Sequence, residues 1–302
     1  MKKETWNDSL YFKGHLDCLF FYSKHTKEIA PFINAQKSED FWHAKNKKVF
    51  ERNKEIATKI HVENGVFLRR GSKDAPLFIQ ELNDKTLTRE FFELRTKMRR
   101  AEAIENKLLT KIQEKLWLYF PPNKPVEFFY ATNGEGQGKQ IERIFIDLDR
   151  TNLPTEKAKI AAKALVKNIM EDKEFNKLLK FKIQVLFTGS SYHVYLLLEK
   201  PINHNFYKKY ISYSKNEEHE SFIRKWAKAI TNKTKIPVTG GHEKTKDIII
   251  LDPSGTPSGK LARVPFSVHV KNAQKSSGFL ARRKSRIFQR NKIDGICEIV
   301  SI

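Results

Sequence analysis

The stretch Arg143-Ile144-Phe145-Ile146-Asp147-Leu148-Asp149 constrains this chain more than any other, because its alternation has the period of a β-strand. Successive strand side chains point to opposite faces, so Ile144, Ile146 and Leu148 share one face while Phe145, Asp147 and Asp149 share the other. The two carboxylates then sit roughly 7 Å apart at Cα. Like charges at that spacing repel unless a cation lies between them, and hard oxygen ligands on a rigid strand suit Mg²⁺ or Mn²⁺. Asp-x-Asp is also common where a solvated strand simply ends, and taken alone that is the better reading. The pattern needs company.

Some comes from Asp252, which follows the apolar run Ile248-Ile249-Ile250-Leu251. Three carboxylates at strand ends would suit two divalent ions about 3.5–4 Å apart, the arrangement that serves phosphoryl transfer. The turn Thr188-Gly189-Ser190-Ser191-Tyr192-His193 links two further apolar runs. Its small and hydroxylic residues let backbone N–H groups approach an anion, and His193 adds a donor; a polar hairpin turn with a satisfied histidine is the plainer alternative. Arg263-Val264-Pro265-Phe266-Ser267-Val268-His269-Val270-Lys271 reads with period two. Val264, Phe266, Val268 and Val270 would form an apolar face, leaving Arg263, Pro265, Ser267, His269 and Lys271 on the other. Arg, Ser, His and Lys together are donors suited to a triphosphate, while Pro265 argues for an edge or irregular strand. The glycine loop 134–139 matches neither G-x-x-x-x-G-K-[ST] nor G-x-G-x-x-G and reads as a strand connection.

Around these motifs the chain falls into three parts. Residues 1–125 read as mostly helical. Phe41, Trp42, Phe50, Ile56, Ile60 and Val62 punctuate a Lys-rich stretch of helical character, and 65–71 reads as a short strand between glycine turns. Leu87, Phe91, Leu94, Met98, Ala101, Ile104, Leu108 and Ile112 recur at three- and four-residue steps, which predicts one long helix over 86–117. Arg89, Arg95, Lys97, Arg99 and Arg100 would decorate its solvated face. Pro121-Pro122-Asn123-Lys124-Pro125 marks a linker. Residues 126–275 alternate short strands (126–131, 143–148, 182–187, 192–198, 247–251, 263–271) with helices (154–173, carrying Ile160, Ala164, Leu165 and Ile169 on one side, and 217–231). Residues 276–302 form a basic C-terminal segment that closes on a docked strand at Ile296–Val300.

The 57 Lys and Arg against 35 Asp and Glu leave a net charge of +22, which favours a polyanionic partner. From Lys271 to Lys292 there are eight Lys and Arg and no acid. Phe279 and Phe288 are interleaved as stacking surfaces for bases, so Arg282, Arg283, Lys284 and Arg286 are candidate nucleic-acid contacts. No apolar run approaches the roughly 20 residues of a spanning helix, and no apolar segment follows the first basic residues. An intracellular, cytoplasmic protein without membrane contact is expected. Cys18 and Cys297 are too few for a Cys-rich zinc or iron–sulfur site.

Taken in order, hhhDhD at Ile144–Asp149, the small-residue turn ending in His193, and hhD at 249–252 followed by R-x-P-x-S-x-H-x-K at 263–271 resemble the archaeo-eukaryotic primase superfamily. The likeness spans roughly residues 126–275. The short, uncharged turn looks more like the primase-polymerases of plasmids and viruses. No cysteine lies between Asp149 and Asp252, where many members carry a zinc module.

The resemblance implies an α+β fold, with an RRM-like mixed or antiparallel sheet as catalytic core and a largely helical N-terminal part. It implies a DNA primase or primase-polymerase that uses two Mg²⁺ or Mn²⁺ ions, a single-stranded DNA template, a primer and NTP or dNTP, with a large-subunit or helicase partner as an open question. By position, Asp147, Asp149 and Asp252 would bind the metals. Ser190, Ser191, His193, Arg263, Ser267, His269 and Lys271 would meet the nucleotide. A primer-dependent repair polymerase, like the polymerase domain of bacterial end-joining ligases, shares the motifs and also lacks the zinc module. A metal-dependent nuclease would leave the Arg263/Ser267/His269 set unexplained, and an inactive binding subunit would be expected to have lost some of these residues.

Overall fold

The computed structural model describes residues 10–34, 54–62, 65–71, 76–134, 140–213, 220–241, 246–270, 293–296 and 298–302. In chain order the elements are β1 (Tyr11–Phe12), β2 (His15–Leu16), α1 (Cys18–Ser23), α2 (Thr26–Asn34), β3 (Ile56–Val62), β4 (Gly65–Arg69), a 3-10 turn at Ile79–Glu81, α3 (Arg89–Lys97), α4 (Arg100–Glu105), α5 (Lys111–Tyr119), β5 (Val126–Ala131), β6 (Ile141–Asp149), α6 (Thr155–Glu171), α7 (Lys173–Leu178), β7 (Phe181–Phe187), β8 (Tyr192–Ile202), α8 (His204–Tyr210), α9 (Phe222–Thr234), β9 (Val238–Gly240), β10 (Ile249–Asp252), β11 (Leu261–Arg263), β12 (Val268–Val270), β13 (Ile293–Ile296) and β14 (Glu298–Val300). The fold is mixed α+β, with sheets that are mostly antiparallel. It divides into two compact units. The first holds the described residues between 10 and 130, together with 263–270 and 293–296. The second holds those between 131 and 262 together with 298–302.

In the first unit β5, β3 and β4 lie side by side, with Thr58 opposite Phe128 and Val62 opposite Gly65. The stretch expected to be helical up to Val62 is thus a strand from Ile56. Its β-branched residues at 56, 58, 60 and 62 suit a pleated, largely buried surface better than a helix. Phe41, Trp42 and Phe50 lie outside the described residues.

The single long helix expected over 86–117 is three helices. Met98 takes an extended backbone (φ −142°, ψ 172°) and ends α3, and Lys107 at φ +55° follows α4. Thr110 then caps α5 in a reciprocal box with Gln113. Arg95 is not on a solvated face. Its Nε and Nη2 donate to the Asp17 carboxylate at 2.6 and 2.8 Å, and Nη2 also donates to the Phe120 carbonyl at 2.6 Å. Asp17 in turn caps α1 by accepting the Leu19 and Phe20 N–H groups, so this buried pair ties α1 to α3.

The second unit carries a six-stranded sheet in the order β14-β7-β8-β6-β10-β9. One face presents Ile144, Ile146, Leu148, Val194, Leu196, Ile249 and Leu251 to α6 and α9, and all seven are fully buried. Trp226, Ile223 and Ile230 of α9 and Leu165 and Ile169 of α6 complete that core. Each such side chain contributes about 1.5–3 kcal/mol on burial. Ile160, expected on the buried side of α6, is 42% exposed; the helix turns Ala158, Ala161 and Ala162 inward instead. The closing strand is as expected for Glu298–Val300, which pairs antiparallel with β7 at Val185–Phe187. Among the described residues no helix is long and apolar enough to cross a membrane.

Candidate active site

The period-two reading of β6 holds. Ile144, Ile146 and Leu148 enter the core beneath the helices, which leaves Phe145, Asp147 and Asp149 on the opposite face. On one side, antiparallel pairing sets Asp147 opposite His193 of β8; on the other, it sets Asp147 opposite Asp252 of β10. Cross-strand partners lie about 4.5–5.5 Å apart at Cα and share a face. His193, Asp147 and Asp252 therefore form one row across three adjacent strands, with Asp149 one step further along the same face, opposite Ile250.

Each member of the row has local support. His193 is nearly buried, its Nε2 lies 3.5 Å from Asp147 Oδ1, and its Nδ1 lies 3.4 Å from the Tyr195 hydroxyl. Phe145 stands edge-on to the His193 ring with centroids 4.9 Å apart. The Asp147 side chain is 43% exposed. Asp149 Oδ1 accepts the Thr151 N–H at 3.1 Å, and Asp252 Oδ1 accepts the Ser254 N–H at 2.8 Å, so both acids cap the turns that follow their strands. After Asp252 the chain crosses Phe145 so closely that a Cβ on Gly255 would lie 2.5 Å from the ring. Thr256 then lends its hydroxyl to β6, accepting from Phe145 N–H and donating to Phe145 C=O, both at 2.9 Å.

The β7–β8 turn is built on Gly189, whose φ of +88° a two-residue hairpin loop demands. The Thr188 hydroxyl accepts the Ser191 N–H at 3.0 Å, and the Ser191 hydroxyl donates to the Leu148 carbonyl. Ser191 is thus turned toward β6 and anchors the loop. Ser190 is half-buried, and its carbonyl accepts from Arg150 Nε at 2.7 Å; Arg150 also bonds the Leu153 carbonyl. Arg150 and Thr256 escaped the sequence reading. Arg150 directly follows Asp149, and an Arg at the end of an acidic strand was the available signal.

The third motif differs from its expected form. Residues 263–271 are not one strand: β11 ends at Arg263, the chain turns at Pro265–Phe266, and β12 begins at Val268. Phe266 sits at φ +65° and stacks on His25 at 4.1 Å. The alternation is therefore broken. Ser267, expected on a donor face, is fully buried; its hydroxyl accepts the Phe128 N–H at 2.8 Å and donates to the Val268 carbonyl at 3.2 Å. Arg263 Nη1 donates to Glu127 Oε1 at 2.7 Å and to the Val268 carbonyl at 2.9 Å. Glu127 also accepts from Val270 N–H at 3.0 Å and lies 3.2 Å from His61 Nε2. Burial raises the Glu127 pKa, but the His61 hydrogen bond, the Arg263 charge and the Val270 N–H outweigh it and bring the pKa down to about 2. His269 lies on β12, opposite Gly295. Lys271, Arg282, Arg283, Lys284 and Arg286 lie outside the described residues.

The donor chemistry of the acidic row, carboxylate oxygens on neighbouring strands, fits a hard divalent cation. As the side chains stand, no group of three or more His, Cys, Asp or Glu among the described residues converges on one metal position. Holding an ion there requires the partly exposed carboxylates to turn toward each other.

No family model matches the chain, and no curated protein is similar to it in sequence. Among solved structures it is similar to the polymerase domain of Mycobacterium tuberculosis ligase D, described in complex with DNA. The TM-score is 0.47 at 11% identity, over 94% of this chain and 86% of that one. A likeness of that size carries no functional argument.

Proposed function

We propose that the chain is a nucleotidyltransferase of the primase-polymerase type, copying single-stranded DNA from NTP or dNTP. One observation carries the reading: Asp147 has Asp252 as its register partner on one side and His193 on the other, at the end of a sheet face where Asp147, Asp149 and Asp252 stay partly exposed. In this reading Asp147, Asp149 and Asp252 hold Mg²⁺ or Mn²⁺, which supplies charge neutralisation at the transferring phosphoryl group and a more acidic 3′-hydroxyl. His193 and the Ser190–Ser191 turn would border the triphosphate, with Ser191 holding the turn against β6 through Thr188 and Leu148. Arg263 and His269 are proposed phosphate contacts and Lys271 a further one. Ser267 acts through the backbone it braces. Residues 282–286 are proposed to follow strand phosphates.

The test is synthesis on unprimed single-stranded DNA, with each nucleotide type and each metal, beside an Asp147→Ala/Asp149→Ala control. Short products bearing a 5′-triphosphate, absent in the control, support a primase. Extension of an annealed primer without such products makes the protein a repair-type polymerase, the alternative that shares every motif. Metal-dependent cleavage without synthesis would contradict the proposal.

A further inference from the structure

Far from the acidic row in sequence, the first unit contains an open cleft of about 680 Å³. Its charged lining is strongly one-sided: Arg95, Lys97, Arg99 and Arg100 against a single carboxylate, Glu102. Surface lysines and arginines alone would make only a diffuse positive patch. Arg95 makes this cleft different.

The Arg95 guanidinium is buried, sandwiched at 5.3 Å from both the Phe91 and Trp117 rings, and clamped by Asp17 and the Phe120 carbonyl through Nε and Nη2. Its Nη1 is buried and has no hydrogen-bond partner among the described residues. An unpaired charged donor held in low dielectric costs free energy unless an acceptor reaches it. Asp17 offsets the Arg95 charge but leaves that donor unmet. Arg99 is exposed and has no ion-pair partner among the described residues, and Lys97 touches Glu93 only at 3.8 Å. Arg100 uses Nε on the Glu114 carbonyl at 3.0 Å, which holds the start of α4 at the cleft.

We propose that this cleft is a binding site for a phosphate-class oxyanion, with Arg95 as its rigid inner donor and Lys97 and Arg99 as its mobile outer cations. Guanidinium groups match oxyanion oxygens in geometry and are weakly hydrated, and several cations around one concavity suit the higher charge of a phosphate. The phosphate belongs either to a free small molecule or to a nucleic-acid strand. The site is independent of the acidic row and of whether that row catalyses anything.

Isothermal titration of the full chain with inorganic phosphate at low salt tests this, comparing wild type with Lys97→Ala/Arg99→Ala. Both substituted side chains are exposed, so the fold is retained, and a thermal melt confirms it. The expected result is saturable binding that weakens at least about tenfold in the variant. Absence of saturable binding in wild type, or equal affinity in both proteins, overturns the proposal. A second arm follows a fluorescent thymidine 20-mer by anisotropy against salt. A weaker variant with a salt slope shallower by about one assigns the phosphate to a strand. An unchanged 20-mer affinity beside lost phosphate binding assigns it to a free small molecule.

Discussion

Two carboxylates from the two units illustrate opposite uses of the same group. Glu127, on β5, is 5% exposed and has all its charge answered by the protein, through His61, Arg263 and the Val270 N–H. Asp147, on β6, is 43% exposed, and His193 Nε2 lies 3.5 Å from its Oδ1. The first has been taken out of water and repaid by fixed donors, which makes it part of the fold. The second keeps access to water and to whatever binds there. A charge that stability does not need is the kind a ligand can use.

The sharpest way to break this contrast is to remove each group in turn. Asp147→Ala/Asp149→Ala is expected to reduce nucleotidyl transfer on the order of 10³-fold or more, while stability falls by only about 1 kcal/mol, the worth of the Asp149 bond to the Thr151 N–H. A variant that unfolded instead would make Asp147 structural like Glu127. Glu127→Ala should do the reverse in equilibrium unfolding, costing about 3–5 kcal/mol because the largely buried Arg263 loses its carboxylate partner.

A pH titration of stability sharpens the same point. The folded pKa of Glu127 lies below its unfolded value of 4.5, so its contribution is complete above that value. It is lost as the pH falls from 4.5 toward about 2, a change of about 3 kcal/mol. Urea unfolding between pH 6 and 2 should show the loss in wild type, and Glu127→Gln should be flatter over that interval. Equal pH dependence in the two proteins would remove Glu127 from the account.

Smaller effects should follow at the turn. Ser191→Ala removes the hydroxyl that reaches Leu148 and should cost about 1 kcal/mol. Arg150→Ala frees Ser190 and should raise the KM for nucleotide several-fold with less change in kcat. An equal loss in kcat would mean that Arg150 does more than position the loop.

What the sequence revealed and what it hid follow one physical line. The face assignment of Asp147 and Asp149 rests on a two-residue period within one strand, and the β7–β8 hairpin on a local glycine turn; both are short-range, and both are found as expected. The fate of Arg95 depends on Asp17, 78 residues away, and that of Ser267 on Phe128, 139 residues away. Neither partner is implied by neighbouring residues, so a helical stripe and a strand alternation both looked solvated where they are buried. The breaks in the 86–117 helix were partly legible, since Thr110 and Gln113 have capping-box spacing. The apolar periodicity runs through the breaks and masks them.

The central claim is that the acidic row exists to hold divalent cations and, with them, a nucleoside triphosphate. Anisotropy of a fluorescent nucleoside triphosphate, read with Mn²⁺, with Mg²⁺ and with EDTA, tests it directly in wild type and in Asp147→Asn/Asp252→Asn. The account predicts binding that needs the metal and disappears in a variant whose melting temperature is unchanged. Binding that persists in EDTA, or that the variant retains in full, would contradict it.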